Sequence, residues 1–287
     1  MAVTQTPPPP TVDHTNPNIL RWDDIGLTLI HDFITESEEA TMIAAFHSAE
    51  PNPQPNGKKR ISQHFGYHFD YTTFGASETN FTPVPKYITD FLPRLPIQHY
   101  LPDQFTVQYY SPGTGIPPHV DTHSMFGEAL YSLSFGSAVP MLFRVSGPND
   151  ARKMRLPKRS VAAPAQQCAS GTAETTPGAS PLPPVGGEEQ SQKGEDRAEE
   201  QAHPAWELLL PPRSLLLMTG ASRYGYTHGI RPRKTDVIDG RTVQRQGRYS
   251  VTMRTVRRGD EIGCECEYPG VCDARIREEM TVMSGGE

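Results

Sequence analysis

No apolar run in this 287-residue chain approaches the length needed to span a bilayer, and the N-terminus Met-Ala-Val-Thr-Gln-Thr-Pro has neither the basic nor the apolar stretch of a secretory signal. A soluble, cytoplasmic protein with no membrane partner is expected, and the basic stretch from Arg152 to Arg159 leaves nuclear entry open. Cysteine is scarce. There are four, three of them between positions 264 and 272, a spacing that argues against a secreted disulfide framework and suits a metal cluster. Positive charge is also short overall, and a formal net charge of -6 speaks at first against a nucleic-acid partner.

The surplus lies in proline and glycine, 29 and 24 residues, more than a compact domain uses. Residues 1–19, with four prolines in a row from Pro7 to Pro10, read as a disordered tail. Residues 147–205, rich in Pro, Ala, Gly, Ser and Glu and without apolar periodicity, read as a disordered insertion, and residues 276–287 as a C-terminal tail. One folded domain over 20–146 and 206–275 remains. Charge is uneven within it. From Arg213 to Arg258 there are eleven Lys or Arg against only Asp236 and Asp239, which makes a basic rim toward an anionic partner unless these are scattered strand and loop charges.

Gly26 to Phe33 is strand-like, Thr35 with Glu38 forms a capping box opening a helix through Phe46, and Pro85 to Leu92 is a short helix candidate. Further strands are expected over Phe105 to Tyr110, Trp206 to Leu210, Ser214 to Thr219 and Arg248 to Arg254, with a hairpin made by Ala129 to Phe135 and Pro140 to Val145. Many short strands and Gly/Pro turns predict a mainly β fold, an antiparallel sandwich or barrel, whose mouth is a common place for a metal and a small cosubstrate. Phe65, Tyr67, Phe69 and Tyr71 share one parity. Such a stripe is either core or, beside Lys58 and Arg60, a platform on which a base stacks.

The chemistry gathers on residues 110–123. Pro112-Gly113 and Pro117-Pro118 draw a tight loop, and His119 and Asp121, two apart, share a face of any extended segment. With the distant His228 they complete a two-histidine, one-carboxylate set that leaves positions open on Fe(II). Arg248 and Arg254 alternate onto one face of their strand, about 20 Å apart at the backbone. Leaning together, two planar guanidinium forks can bracket a short dicarboxylate, with Gln108 and Tyr110 adding hydrogen bonds.

His119-Val120-Asp121, the later His228 and Arg248-x5-Arg254 together resemble the AlkB branch of the Fe(II)/2-oxoglutarate oxygenases. The resemblance implies a double-stranded β-helix (jelly-roll, cupin-like) with a few flanking helices, Fe(II), and 2-oxoglutarate and O2 as cosubstrates. It also implies Arg248 on the C5 carboxylate of 2-oxoglutarate and Arg254 near its C1 end and Asp121. Gln108 stands where that branch carries Asn. Segments 64–67, 115–124 and 218–230 and the Cys-rich end are similar to the AlkB homologue 8 group, whose oxygenase domain hydroxylates a modified wobble uridine in tRNA.

By itself Cys264-x-Cys266-x5-Cys272 offers three thiolates, and His123, which shares parity with His119 and Asp121, is either a rival iron ligand or their fourth partner. The resemblance implies the second, a structural zinc at His123, Cys264, Cys266 and Cys272. It also implies RNA, specifically a tRNA anticodon loop, as partner; by charge and stacking, Lys58, Arg60, Phe65 and Tyr67 are the residues expected to contact it. The chain leaves no room for the group's RNA-recognition and methyltransferase domains, so a separate methyltransferase acting upstream is expected. Three functions compete: a wobble-uridine hydroxylase of methoxycarbonylmethyl-uridine type, an oxidative demethylase of alkylated DNA or RNA bases, and a non-catalytic zinc-stabilised module binding RNA or protein. Uncoupled 2-oxoglutarate turnover separates the third from the first two, and formaldehyde release separates the second from the first.

Overall fold

The computed structural model describes residues 4–5, 7–49, 60–70, 75–147, 150 and 204–276. In chain order the strands are β1 (Thr4–Gln5), β2 (Thr11–Val12), β3 (Ile19–Trp22), β4 (Leu27–Ile30), β5 (Arg60–Asp70), β6 (Gly75–Thr82), β7 (Gln104–Tyr110) and β8 (Ile116–His119). They continue as β9 (Phe126–Gly136), β10 (Val139–Val145), β11 (Ala205–Leu210), β12 (Ser214–Met218), β13 (Tyr226–Ile230), β14 (Thr235–Ile238), β15 (Arg241–Gln244) and β16 (Arg248–Val256). The helices are α1 (Glu36–Ser48), α2 (Lys86–Thr89) and α3 (Gly220–Tyr224). Among the described residues, one sheet runs β2-β3-β4-β12-β9-β16-β7-β5-β6 and a second β1-β11-β10-β13-β8, while β14 and β15 pair alone. The fold is a jelly roll, mainly β.

Period-two alternation decides what each face of the larger sheet does. Odd positions of its central strands, among them Val107, Leu133, Leu215, Val251 and Met253, are buried against Met42 and Phe46 of α1 and Ile88 of α2. Even positions turn toward the second sheet, where Leu130, Leu216 and Met218 pack with Phe143, Trp206 and Leu208. Each such side chain contributes roughly 1.5–3 kcal/mol by burial. Near β7 and β16 the even positions are instead the buried hydroxyls Thr106, Ser132, Ser134 and Ser250. Small polar side chains there replace apolar packing between the sheets, and the candidate site lies among them.

The capping box forms: Thr35 Oγ1 accepts from the Glu38 amide at 3.2 Å and Glu38 Oε2 accepts from the Thr35 amide at 2.7 Å. It opens α1, which continues through Ser48, one half-turn past the expected end.

Four expectations need correction. β9 and β10 are not a hairpin: β9 pairs with β12 and β16, and β10 with β11 and β13, in the other sheet. Gly136, at φ 83, turns the chain between layers, which brings Met141 and Phe143 face to face with the larger sheet's apolar residues. The 1–19 segment is not wholly a loose tail. Thr11 and Val12 pair with Arg21 and Leu20, and the indole of Trp22 donates to the Pro8 carbonyl at 2.7 Å, since a proline without an N–H still accepts. The aromatic stripe is broken at Gly66. Its φ of 75 and the lack of room for a Cβ, which would lie 2.0 Å from the Asp103 carbonyl oxygen, mark an irregularity where Tyr67 N–H donates to that oxygen. Phe65 and Ile61 pack under the helices, so Phe65 is a core residue rather than a base platform. Finally, the basic stretch is not one surface rim, because Arg223, Arg245, Arg248 and Arg254 are buried.

Of the 147–205 insertion, positions 148–149 and 151–203 lie outside the described residues, as do 277–287 of the C-terminal tail, Tyr71 and Lys58. Asp150, within the insertion's expected bounds, is bound to Arg144 at 2.6 Å.

Candidate active site and cysteine cluster

β8 ends at His119 and pairs antiparallel with β13, which sets His119 directly across from His228, their rings 4.4 Å apart. Asp121 follows two residues beyond β8, and its Oδ2 lies 3.5 Å from His228 Nε2. Ligand atoms of His119, Asp121 and His228 all lie within 4.8 Å of one another. His119 Nδ1 is 2.9 Å from the Pro117 carbonyl, which can only accept, so Nδ1 holds the proton and Nε2 keeps its lone pair. Burial, with His228 close by, pushes His119 down to about 4, leaving a neutral imidazole at pH 7.

Arg254 reaches this set from β16. Its Nε donates to Asp121 Oδ1 at 2.8 Å, its Nη2 lies 2.6 Å from the same oxygen, and its Nη1 donates to Gln104 Oε1 at 3.1 Å. Burial alone would raise Asp121, but this guanidinium holds its carboxyl well below the ordinary range. Asp121 Oδ2 is buried with no hydrogen-bond partner. A buried carboxylate oxygen without a donor is costly unless a cation takes it. One free carboxylate oxygen and two imidazoles, open on one side, fit Fe(II).

Arg248 lies at the other end of the same strand face, 3% exposed. Its Nη2 donates to Ser134 Oγ at 2.8 Å and it stacks 5.3 Å from the Tyr110 ring, while Nε is buried without a partner. Tyr110 OH donates to Gln108 Oε1 at 2.6 Å. Among the described residues no carboxylate pairs with Arg248. A buried guanidinium lacking a counterion is a receptor for an anion, and a dicarboxylate fits.

Cys264, Cys266, Cys272 and His123 form a second group, again with ligand atoms within 4.8 Å. Cys266 Sγ is 3.3 Å from His123 Nδ1, so His123 turns to the thiols and not to the His119 set. Burial, then Arg223, pushes His123 down to about 3, and burial, then the neighbouring thiols, pushes Cys272 up to about 12.

Two charged residues that sequence reasoning missed join these groups. Arg223, 1% exposed, donates to the carbonyls of Asp121 at 3.0 Å and Thr122 at 2.8 Å. Asp273 Oδ1 accepts from the amides of His123 at 2.8 Å and Ser124 at 3.0 Å. The four residues 121–124 are therefore clamped from both sides. Neither clamp has a local motif, although Asp273 is the residue after Cys272. Of the residues expected to meet substrate, Arg60 stands at the described edge of β5, and Tyr67 packs on Phe81 with Arg258 4.3 Å over its ring.

Residues 26–254 match the sequence profile of the 2OG-Fe(II) oxygenase superfamily. The chain belongs to that superfamily. As a 2OG-Fe(II) oxygenase it is an oxidoreductase, and the family implies Fe(II), 2-oxoglutarate and O2. Relatives are AlkB-like. The tRNA (carboxymethyluridine(34)-5-O)-methyltransferase alkbh8 of Xenopus tropicalis is 32% identical over 91% of this oxygenase and 36% of its own length. The mouse protein of the same name is 30% identical over 86% of this chain and 32% of its own. The alkylated DNA repair protein ALKBH8 homolog of Arabidopsis thaliana is 30% identical over 87% of this chain and 63% of its own. The oxygenase thus spans about a third of the animal relatives' length.

Proposed function

We propose that this oxygenase hydroxylates a modified wobble uridine of methoxycarbonylmethyl-uridine type in a tRNA anticodon loop. The observation that carries the substrate is the 32% identity, over 91% of the chain, to a protein named for chemistry at uridine 34 of tRNA. Fe(II) is held by His119, Asp121 and His228, and Arg248, Tyr110 and Gln108 receive the far carboxylate of 2-oxoglutarate. When bound, these groups supply oxidation of a C–H bond: O2 is split between succinate, formed with loss of CO2, and the hydroxylated substrate carbon. The protein's part is to keep the His119 imidazole neutral, fix Asp121 through Arg254, and exclude water around Arg248. The nucleotide must be unstacked to reach the metal. The ester of that uridine must already be in place, made by a methyltransferase activity acting upstream.

The test is incubation of the iron-loaded enzyme with tRNA carrying methoxycarbonylmethyl-uridine, read by mass spectrometry of nucleosides. A side-chain hydroxylated uridine without net formaldehyde is expected. The second reading, oxidative demethylation, is favoured by the name of the Arabidopsis relative. Efficient loss of methyl from N1-methyladenine or N3-methylcytosine with no uridine product would put it in first place.

His123, Cys264, Cys266 and Cys272 hold a structural zinc in this reading, since three thiols and an imidazole at these distances make a closed four-ligand set. Burial keeps Cys266 and Cys272 protonated at pH 7, so metal must expel their protons. Adding zinc to metal-free protein in weak buffer is expected to release a proton from each, and Cys272→Ser to lose zinc and lower the unfolding temperature. Well-folded protein that takes up no zinc rejects the site.

A further inference from the structure

The β5 side of the site has had no role so far. Cross-strand pairing sets side chains of β5, β7 and β16 in rows on the inward face: Ser62 with Gln108 and Ser250, then His64 with Thr106 and Thr252, then Gly66 with Gln104 and Arg254. Exposure is greatest at His64, at the β5 end of the second row, while the third row is buried throughout. Ser250 and Arg254 are buried, Ser62 is half-buried and His64 is exposed. The β16 side is therefore deep, and His64 on β5 is the exposed approach to it.

His64 is tied to the iron ligands through that grid. Its Nδ1 lies 3.4 Å from Thr106 Oγ1, Gln104 Nε2 donates to Thr106 Oγ1 at 3.2 Å, and Gln104 Oε1 accepts from Arg254, which binds Asp121. Beyond the irregularity at Gly66, Phe69 comes to 4.7 Å from Phe126, and Arg254 lies 5.0 Å over the Phe126 ring. One half-buried aromatic and one exposed imidazole thus flank the entry beside the metal end. Among the described side chains the two carboxylates found there, Asp121 and Asp103, are each held by an arginine, Arg254 and Arg258, both at 2.6 Å.

We propose that His64 and Phe69 form the base-reading rim of this oxygenase, and that the rim takes an uncharged pyrimidine base, with His64 hydrogen-bonded to its polar edge and Phe69 stacked on its face. This rests on the reading that the substrate is a nucleic acid. Partial desolvation where the ring meets the sheet, then Arg254, lowers the pKa of His64 although its edge is exposed, so the neutral ring at pH 7 both donates and accepts. N1-methyladenine and N3-methylcytosine are cations at neutral pH. They would meet arginines here and, among the described side chains, no carboxylate left to neutralise them, whereas a 5-substituted uridine brings no charge.

The experiment uses the full chain, iron-loaded, with two anticodon stem-loop RNAs that differ only at the wobble base, methoxycarbonylmethyl-uridine or N3-methylcytosine. Binding is read by fluorescence anisotropy, turnover by nucleoside mass spectrometry, and the state of His64 by carbethoxylation with and without RNA. The uridine RNA is expected to bind about tenfold more tightly than the cationic one and to protect His64. His64→Ala should raise KM for the uridine RNA about tenfold with a smaller change in kcat, and His64→Gln, which keeps a donor and an acceptor, should restore most of it. Phe69→Ala should weaken binding by about tenfold and Phe69→Trp should preserve it. Wild-type KM in His64→Ala, or equal binding of the two RNAs, overturns the rim. If uridine product forms but His64→Ala keeps the wild-type KM, the rim is wrong and the proposed reaction stands. If the RNA protects His64 with the expected preference and no uridine product forms, the reaction is wrong and the rim stands.

Discussion

His228→Ala is expected to abolish 2-oxoglutarate consumption, measured as succinate formed, while leaving the protein folded. Two protein ligands remain and the facial set is broken. The lost ring lies across from His119, and among the described residues no ion pair depends on it except the 3.5 Å approach to Asp121. Asp121→Ala should differ in kind. It removes the ligand and also strips Arg254 of its carboxylate in a buried site, and breaking a buried pair typically costs about 3–5 kcal/mol. Turnover should vanish and the unfolding temperature should fall together. His119→Ala should behave like His228→Ala. Iron-dependent turnover persisting in all three variants would refute the triad.

Arg248→Ala is expected to weaken 2-oxoglutarate by about 2–5 kcal/mol, roughly 30- to several-thousand-fold in Kd, because one carboxylate of the cosubstrate would be left buried and unpaired. Arg248→Lys should recover only part, since an ammonium cannot present the planar fork. Stability separates this from a general folding defect. Arg248 is a buried cation with Ser134 and the Tyr110 ring for company and, among the described residues, no counterion. Truncating it should therefore not lower the unfolding temperature of cosubstrate-free protein, and it should erase the rise that 2-oxoglutarate produces in the wild type. A wild-type KM for 2-oxoglutarate in Arg248→Ala would place the anchor elsewhere.

Local pattern carried a good deal of this molecule. Spacing alone put His119 and Asp121 on one face, and β8 and β13 deliver them to His228. Parity put Arg248 and Arg254 on the inward face of β16, and the Thr35–Glu38 box opened α1 where it was expected. These readings needed only the period of a strand and the chemistry of a helix start, which are properties of neighbouring residues. His123 could not be assigned that way. Parity allowed it at either metal group, and its turn toward Cys266 depends on Asp273 and Arg223 holding the 121–124 backbone, contacts across 150 and 102 residues of sequence.

The sequence by itself determined the ligand types, the arginine pair, the mainly β class and the gathering of thiols near the end of the chain. Tertiary structure decided which sheet each strand joins, since β9 and β10 look alike as a hairpin and as a crossover until Gly136 turns one layer into the other. It decided that Phe65 is core and His64 faces the site, because odd positions of this sheet pack on the helices, and the irregularity at Gly66 breaks the alternation only for Tyr67 and Phe69. It also decided where the charge resides. Eleven basic residues in one stretch read as a rim, but Arg223, Arg245, Arg248 and Arg254 turn inward, to backbone carbonyls, Asp236, Ser134 and Asp121. A formal charge count treats every arginine alike, whereas burial and long-range partners fix whether its charge reaches solvent, a metal ligand or a cosubstrate.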